Sequence, residues 1–242
     1  MFPFLVALAS AAPAHGQGGP PLVTDDPGTP GPGHWEVNVA FTLDDRGAFQ
    51  TFETPLVDAN YGVGERLQLK LEIPWVVGTD GQDASGLGNA LIGVKWRFCD
   101  ASECGAAVGI YPQVEVPMSS RSAALGLADG KASVLLPVLI QRDFGPVEVN
   151  VEAGYTFRSG QSGQWFWGVA LGHSVGDFEL LTEVFDSGAS SLSTPGLNWD
   201  AGARWRASSH FVVLFSAGTG LSGSAGDPRA RALVYLGGQF LF

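Results

Sequence analysis

The chain ends with the stretch Arg231-Ala-Leu-Val-Tyr-Leu-Gly-Gly-Gln-Phe-Leu-Phe242, and this stretch decides the fold class. Every second residue from Ala232 to Phe242 is apolar or glycine, whereas the other parity carries Arg231, Tyr235 and Gln239. Because side chains alternate between the two faces of a strand, the stretch predicts a β-strand with one apolar and one mixed face. Such a strand, ending on an aromatic residue, is typical of the last strand of an outer-membrane β-barrel.

The same alternation recurs along the chain. In residues 65–77, 89–98, 147–158 and 197–207, charged or amide side chains alternate with aliphatic and aromatic ones. Charges of both signs on the minor face of strand after strand favour a polar lumen over the solvated outer face of a soluble sandwich.

The turn residues between these stretches predict about twelve strands, an even number as in single-chain bacterial barrels. They are expected near 34–42, 52–61, 65–77, 89–98, 106–117, 133–143, 147–158, 165–175, 177–186, 197–207, 210–220 and 231–242. Tight turns such as 143–146 alternate with longer loops such as 119–132, which we expect at the periplasmic and extracellular ends. The predicted fold is therefore an all-β transmembrane antiparallel barrel of about twelve strands.

Composition agrees with this class and excludes others. Thirteen Lys and Arg against twenty-four Asp and Glu give a net charge of −11, which argues against nucleic acid as a partner. The mean hydropathy is +0.15, yet no apolar run reaches the roughly 18 residues that a membrane-spanning helix needs. A barrel hides its apolar residues at every second position, so the sequence predicts a bacterial outer-membrane protein whose partners are membrane lipid and the barrel assembly machinery.

The first residues predict a secretory signal peptide. Residues 1–16 combine a short apolar core with small residues around Ala14 and Gly16, although no Lys or Arg precedes the core. The alternative is a buried strand. We expect a signal peptide over 1–16, a periplasmic lead-in over 17–32 and the barrel over 33–242.

Aromatic side chains gather near the ends of the predicted strands. Trp35, Tyr61, Trp96 and Trp205 lie near the tight turns, and Phe52, Trp75, Trp165 and Trp199 lie near the long loops. This distribution favours two aromatic girdles at the lipid headgroups over ordinary core packing.

The two cysteines, Cys99 and Cys104, lie in one turn, and in an exported protein this spacing predicts a local disulfide. Two thiols without a nearby histidine fall short of a four-ligand metal site, so we expect no metal, and no motif implies a cofactor.

Five short motifs resemble the outer-membrane family named for the meta-pathway of phenol degradation. They are Pro21-Leu22-Val23-Thr24-Asp25-Asp26-Pro27-Gly28-Thr29, Gly33-His34-Trp35-Glu36, Asn60-Tyr61-Gly62-Val63, Gly86-Leu87-Gly88-Asn89 and Gly93-Val94-Lys95-Trp96-Arg97-Phe98. The chain departs from the family at Pro27, which usually is a small residue, and at Asn89, which usually is an aspartate. The resemblance implies a transporter-like barrel for aromatic or other small compounds.

Two interpretations of Thr24, Asp25 and Asp26 remain open. Aspartate and Pro-Gly form turns, so the segment predicts a turn that leads into the first strand. As a possible plug, it would instead fold into or beneath the lumen and pair with inward arginines such as Arg97, Arg204 or Arg206.

Strand parity predicts which charges line the lumen, because charges that face lipid at the midplane cost about 2–4 kcal/mol for Arg or Lys. The predicted lumen residues are Arg66, Lys70, Glu72, Lys95, Arg97, Glu115, Glu148, Glu152, Glu183, Asp200, Arg204 and Arg206. We expect a channel or uptake protein that passes small, possibly aromatic or hydrophobic, solutes through this lumen. The alternative is a structural or adhesive barrel in which the same charges pair and seal the interior.

An enzyme is the least favoured class. A hydrolase needs a serine activated by a histidine, but strand alternation should point Ser174 away from His173 and Ser209 away from His210. No catalytic residues are therefore predicted.

Overall fold

Twelve antiparallel strands close into a barrel, as the alternating pattern predicts. The computed structural model describes residues 18–47, 50–79, 83–186, 196–223 and 228–242. The predicted signal peptide over 1–16 lies outside the described residues and stays a prediction. None of the helices in the described ranges has both the length and the apolar character needed to cross a membrane.

Fourteen strand segments and two short helices build the fold. In chain order they are β1 (Trp35–Asp45), β2 (Gln50–Val63), β3 (Leu67–Thr79), β4 (Asp83–Leu87), β5 (Ala90–Cys99), α1 (Ala101–Cys104), β6 (Ala107–Ile110), β7 (Gln113–Val116), α2 (Ser120–Ala124), β8 (Ser133–Phe144), β9 (Val147–Arg158), β10 (Gln164–Val175), β11 (Phe178–Asp186), β12 (Leu197–Arg206), β13 (Phe211–Gly220) and β14 (Ala232–Leu241). Both β4 and β5 pair with β3, and both β6 and β7 pair with β8, so each of these two pairs of segments is one barrel strand with a break.

The terminal stretch is the closing strand. β14 pairs with β1 from Glu36 opposite Leu241 to Asp45 opposite Ala232. Beyond the ladder, the Trp35 and Phe242 backbones donate to each other, with N to O distances of 3.0 Å in both directions. The closure pairs the first strand with the last one, as a β-structure needs in order to span lipid.

The two faces of the barrel have opposite chemistry. Outward side chains such as Leu69, Leu71 and Trp96 are exposed, whereas inward Asn38, Asn150 and Glu183 are almost completely buried. Exposed apolar residues form a surface that lipid can cover, and the buried polar residues make the interior hydrophilic. The interior of this protein is therefore a polar lumen rather than a hydrophobic core.

Aromatic pairs lie at both ends of the barrel. At the tight-turn end, ring centroids are 4.7 Å apart for Trp35 and Tyr61 and 6.1 Å apart for Phe178 and Trp205. At the long-loop end, Tyr155 and Trp165 are 5.0 Å apart. These positions match the two girdles that the sequence indicates.

The barrel has two unlike walls. In the wall from β1 to β7, which we call the irregular wall, the register shifts between Ala40 and Thr42, between Glu53 and Leu56, and between Arg97 and Cys99. The wall from β8 to β14, the regular wall, keeps its register through every pairing.

Candidate functional site

The segment of residues 18–30, called the plug below, lies inside the barrel. Thr24 is fully buried and Asp26 is 4% exposed, although neither belongs to a strand. The chain leaves the lumen at the tight-turn end, where the Gly33 N–H donates to the Gly62 carbonyl at 2.9 Å. A side chain at position 62 would overlap the Gly31 carbonyl, so Gly62 permits this close passage.

Two acidic side chains of the wall bind backbone amides of the plug. Glu183, on β11, accepts hydrogen bonds from the Val23 and Thr24 N–H groups at 2.7 and 2.8 Å. Glu152, on β9, accepts one from the Asp25 N–H at 2.8 Å. Because a hydrogen bond is stronger in a buried site than in water, these contacts fix the depth of the plug.

Basic and hydroxyl side chains bind oxygen atoms of the plug. Arg204, on β12, donates to the carbonyls of Gly18, Gly19 and Pro20 at 2.5, 3.1 and 2.9 Å. Ser216 donates to the Pro21 carbonyl at 2.9 Å. The wall thus binds the main chain of the plug, and these contacts do not depend on the side chains of the plug.

One ion pair complements these main-chain contacts. Lys95 Nζ lies 2.8 Å from Asp25 Oδ1, and both groups are largely buried. Of the three arginines proposed as partners of this segment, Arg204 binds plug carbonyls, whereas in the described part of the chain no ion pair joins Arg97 or Arg206 to the plug. The main electrostatic partner of Asp25 is a lysine rather than an arginine.

The turn chemistry of the segment shapes the plug internally. Asp26 accepts hydrogen bonds from the N–H groups of Gly18, at 2.7 Å, and Gly28, and its own N–H donates to Asp25 Oδ1 at 2.7 Å. Such side-chain bonds to nearby backbone hold tight turns. The turn interpretation and the placement in the lumen are therefore compatible.

The regular wall carries small residues where the plug passes. Leu22 packs in a small apolar cluster with Ala170 and Leu181. At Gly168, on β10, an added Cβ would overlap Thr24 Oγ1. Gly168 therefore makes room for Thr24 against the wall.

A cavity of about 470 Å³ lies between the plug and the tight-turn end. The plug contributes Asp26 and Thr29 to its lining, and the wall contributes Glu36, Asp58 and Arg204. Asp143, Gly145 and Asp177 at its outer edge belong to the tight turns, so the cavity opens at that end of the barrel.

A second segment folds inward at the long-loop end. We call residues 117–132, which contain α2, the inward loop. Its Ser122 and Leu127 are buried, and they pack against Gly86 and Gly78 of the irregular wall. Gly86 faces the lumen because it pairs with inward Val76. Below this loop, Glu115 accepts hydrogen bonds from Asn89 at 2.9 Å and Ser133 at 3.0 Å.

The structure places the predicted lumen residues at two heights. Nine of them lie inside the barrel, on the lumen face of their strands: Lys70, Glu72, Lys95, Glu115, Glu148, Glu152, Glu183, Asp200 and Arg204. The other three, Arg66, Arg97 and Arg206, lie at the tight-turn rim. Arg206 borders the opening of the cavity, while Arg66 and Arg97 bind the turn around α1.

The disulfide between Cys99 and Cys104 is present and closes the turn that contains α1. Arg66 forms ion pairs with Asp100 and, at 2.8 Å, with Glu103, and Arg97 lies 2.7 Å from Asp100. The hydrogen bond from Arg66 lowers the pKa of the exposed Glu103 carboxyl. Within the described ranges, no group of three or more potential ligand residues could hold a metal ion.

The prediction that Ser209 and His210 point apart is wrong. Ser209 Oγ lies 2.8 Å from His210 Nδ1, because the two residues belong to an exposed turn, where strand alternation does not apply. Among the described residues, no acidic side chain contacts this imidazole, so the pair lacks the third group that a catalytic triad uses. His173 instead contacts the Pro146 carbonyl at 2.7 Å.

Several residues that contribute to the lumen were missed from sequence. Glu36, Asn38, Asp58 and Asn60 face inward on β1 and β2, where an acid and an amide are two residues apart. The same spacing relates Glu148 to Asn150 on β9, so the pattern that indicates a polar face is also present in the sequence of β1 and β2.

Comparison with known proteins supports the fold independently. No protein-family model matches the sequence, and no curated protein matches it either. An outer membrane channel from Pseudomonas putida F1 is similar in structure, with a TM-score of 0.70 and 14% identity, over 90% of this chain and 98% of that one. The KdgM porin in complex with disordered oligogalacturonate is similar with a TM-score of 0.58 and 8% identity, over 86% of this chain and 99% of that one. The chain therefore has the fold of outer-membrane channels and porins.

Proposed function

We propose that this protein is an outer-membrane channel for small solutes and that its plug restricts their passage. The observation that carries the proposal is the cavity of about 470 Å³ that opens at the tight-turn end and stops at the plug. A barrel built only as a scaffold has no need of a polar chamber beneath a separately bound segment. The resemblance to the phenol meta-pathway family and the channel-like fold support the same function.

The way in which the plug is held suits a movable obstruction. It is bound by hydrogen bonds and one ion pair, while its apolar contacts are small, as at Leu22 in its cluster and at Pro27 beside Gly109. Water can replace such polar contacts, whereas a large apolar interface would resist hydration. A passive passage through the outer membrane therefore agrees with the way in which the plug is held.

The alternative is a sealed structural barrel. The inward loop at one end and the plug at the other favour it, because each of them occupies part of the lumen. The two functions differ in one measurable property, which is whether solutes cross when the plug contacts are removed.

The test compares the wild type with a chain in which residues 18–30 are replaced by a glycine and serine stretch of equal length. We expect the replacement to raise single-channel conductance in planar bilayers severalfold and to admit sugar-sized and small aromatic solutes into liposomes. Heat-modifiable electrophoretic mobility checks that both barrels are folded. If both folded proteins are non-conducting and exclude these solutes, the channel proposal is overturned and the sealed barrel replaces it.

A further inference from the structure

The cavity beneath the plug has an excess of acidic side chains. Its lining contains eight Asp and Glu residues but four Lys and Arg residues. A cleft of low dielectric that is lined by one sign of charge concentrates counter-ions. The excess therefore matters for which solutes enter.

Three of the four basic side chains are already engaged by the protein. Lys95 pairs with Asp25, Lys70 lies 2.8 Å from Glu72 and 3.5 Å from Asp58, and Arg204 lies 3.3 Å from Glu179 while it binds plug carbonyls. The fourth, Arg206, is exposed at the rim. The basic side chains inside the cavity are thus neutralised by Asp25, Asp58, Glu72 and Glu179, while the rim carries Asp143 and Asp177 against Arg206.

Among the acidic residues that line the cavity, Glu36 has few polar contacts with the protein. Among the described residues, its carboxylate has one hydrogen bond, from Asn38 Nδ2 at 3.3 Å, and it forms no ion pair. The same Asn38 amide group donates to Asp58 at 3.3 Å, so the amide bridges two carboxylates on the wall of the cavity.

Asn38 lies behind these two carboxylates and does not itself line the cavity. The residue is fully buried, and its Oδ1 accepts no hydrogen bond from the described residues. A buried carbonyl oxygen without a donor is costly, and here it lies beside two carboxylates. The two carboxylates line the cavity, and both attract a positively charged or N–H-bearing molecule.

We propose that the cavity selects small organic cations and that Glu36, with Asp58 beside it, determines this selectivity. The inference rests on the proposed channel function and names its class of solute. A volume of about 470 Å³ admits a small organic molecule, since ligand cavities typically span about 300–1,000 Å³. Anions meet the acidic excess and are disfavoured.

The test uses two permanently charged aromatic ions of similar size, benzyltrimethylammonium and benzenesulfonate. Reversal potentials are measured in planar bilayers under a gradient of each salt. We expect the wild type to prefer the cation by about tenfold, within the range that electrostatic focusing produces. Glu36→Gln, which keeps the shape and removes the charge, should lower this ratio severalfold.

The matched control is Glu65→Gln. Glu65 is an exposed acid at the same tight-turn rim, but it does not line the cavity. We expect this variant to keep the wild-type ratio. Heat-modifiable mobility confirms that each variant is folded, which excludes a general structural effect.

The outcomes separate this inference from the function on which it rests. A wild type that conducts but passes both ions equally, or prefers benzenesulfonate, overturns the cation selectivity and leaves the channel intact. Equal losses of selectivity in Glu36→Gln and Glu65→Gln overturn the role of Glu36. Absence of conductance for either salt, in the wild type and in the chain with the replaced plug, overturns the channel function itself.

Discussion

The regular wall and the irregular wall bind different segments inside the barrel. The regular wall provides Glu152, Glu183, Arg204 and Ser216, and with them most of the polar contacts to the plug. The irregular wall provides one ion pair to the plug, through Lys95, and receives the inward loop at two glycines. An uninterrupted ladder places side chains of neighbouring strands at fixed spacings, which is what a row of buried hydrogen bonds requires.

The two inward segments are consequently bound with different strength. Hydrogen bonds to charged groups contribute about 1.5–3 kcal/mol each, and the plug makes several of them. The inward loop is buried through one hydroxyl group and one leucine side chain. The plug is therefore the more tightly bound of the two inward segments, and the inward loop is the looser one.

The largest effect is expected where the two walls meet. Replacement of Phe242 by a charged residue removes the aromatic ring expected at the lipid headgroups. Deletion of Phe242 also removes its two backbone hydrogen bonds with Trp35. We expect membrane assembly to fall far more than expression, because an unclosed edge is not tolerated in lipid. The measurement is the fraction of heat-modifiable protein in the membrane. Normal assembly without Phe242 would show that β1 and β14 pair independently of the terminal residue.

Much of this architecture could be predicted from sequence because strand alternation is a local property. The closing strand, the number of strands, the tight turns and the disulfide all depend on residues that are close in the chain. The expected strand near 106–117 is interrupted at Tyr111 and Pro112, because proline lacks the N–H that a ladder needs.

The parity of a residue in its strand predicts neither its height in the barrel nor its contacts with residues far away in the sequence. Arg97 has the inward parity, yet it lies at the rim, because alternation defines a face but not a distance from the membrane centre. The plug contacts join residues about 160 positions apart, as between Val23 and Glu183, and no local pattern encodes such a pair. Its placement in the lumen was one of two interpretations that the turn residues allowed.

An intermediate effect is expected from crowding the plug against the regular wall. In Gly168→Ala the new methyl group overlaps Thr24 Oγ1, so the plug must shift or leave its site. We expect limited proteolysis of the folded protein to cut the plug about tenfold faster, equivalent to about 1.4 kcal/mol of docking free energy. Addition of Thr24→Gly should restore slow cleavage, since it removes the overlapping side chain. Fast cleavage in this double variant would mean that Gly168 supports the wall rather than the plug.

The smallest effect is expected from the matching change in the irregular wall. In Gly86→Ala the added Cβ would lie 2.6 Å from Ser122 Oγ, but that oxygen ends a short side chain that can rotate. We expect plug cleavage to stay at the wild-type rate and cleavage within the inward loop to rise about twofold, because few contacts hold this loop to the wall. Ser122→Ala should reverse the rise, since its Cβ lies an unstrained 3.7 Å from the new methyl position. If Gly86→Ala instead releases the plug as strongly as Gly168→Ala, the two walls act as one unit, and the plug depends on the whole barrel rather than on its regular side.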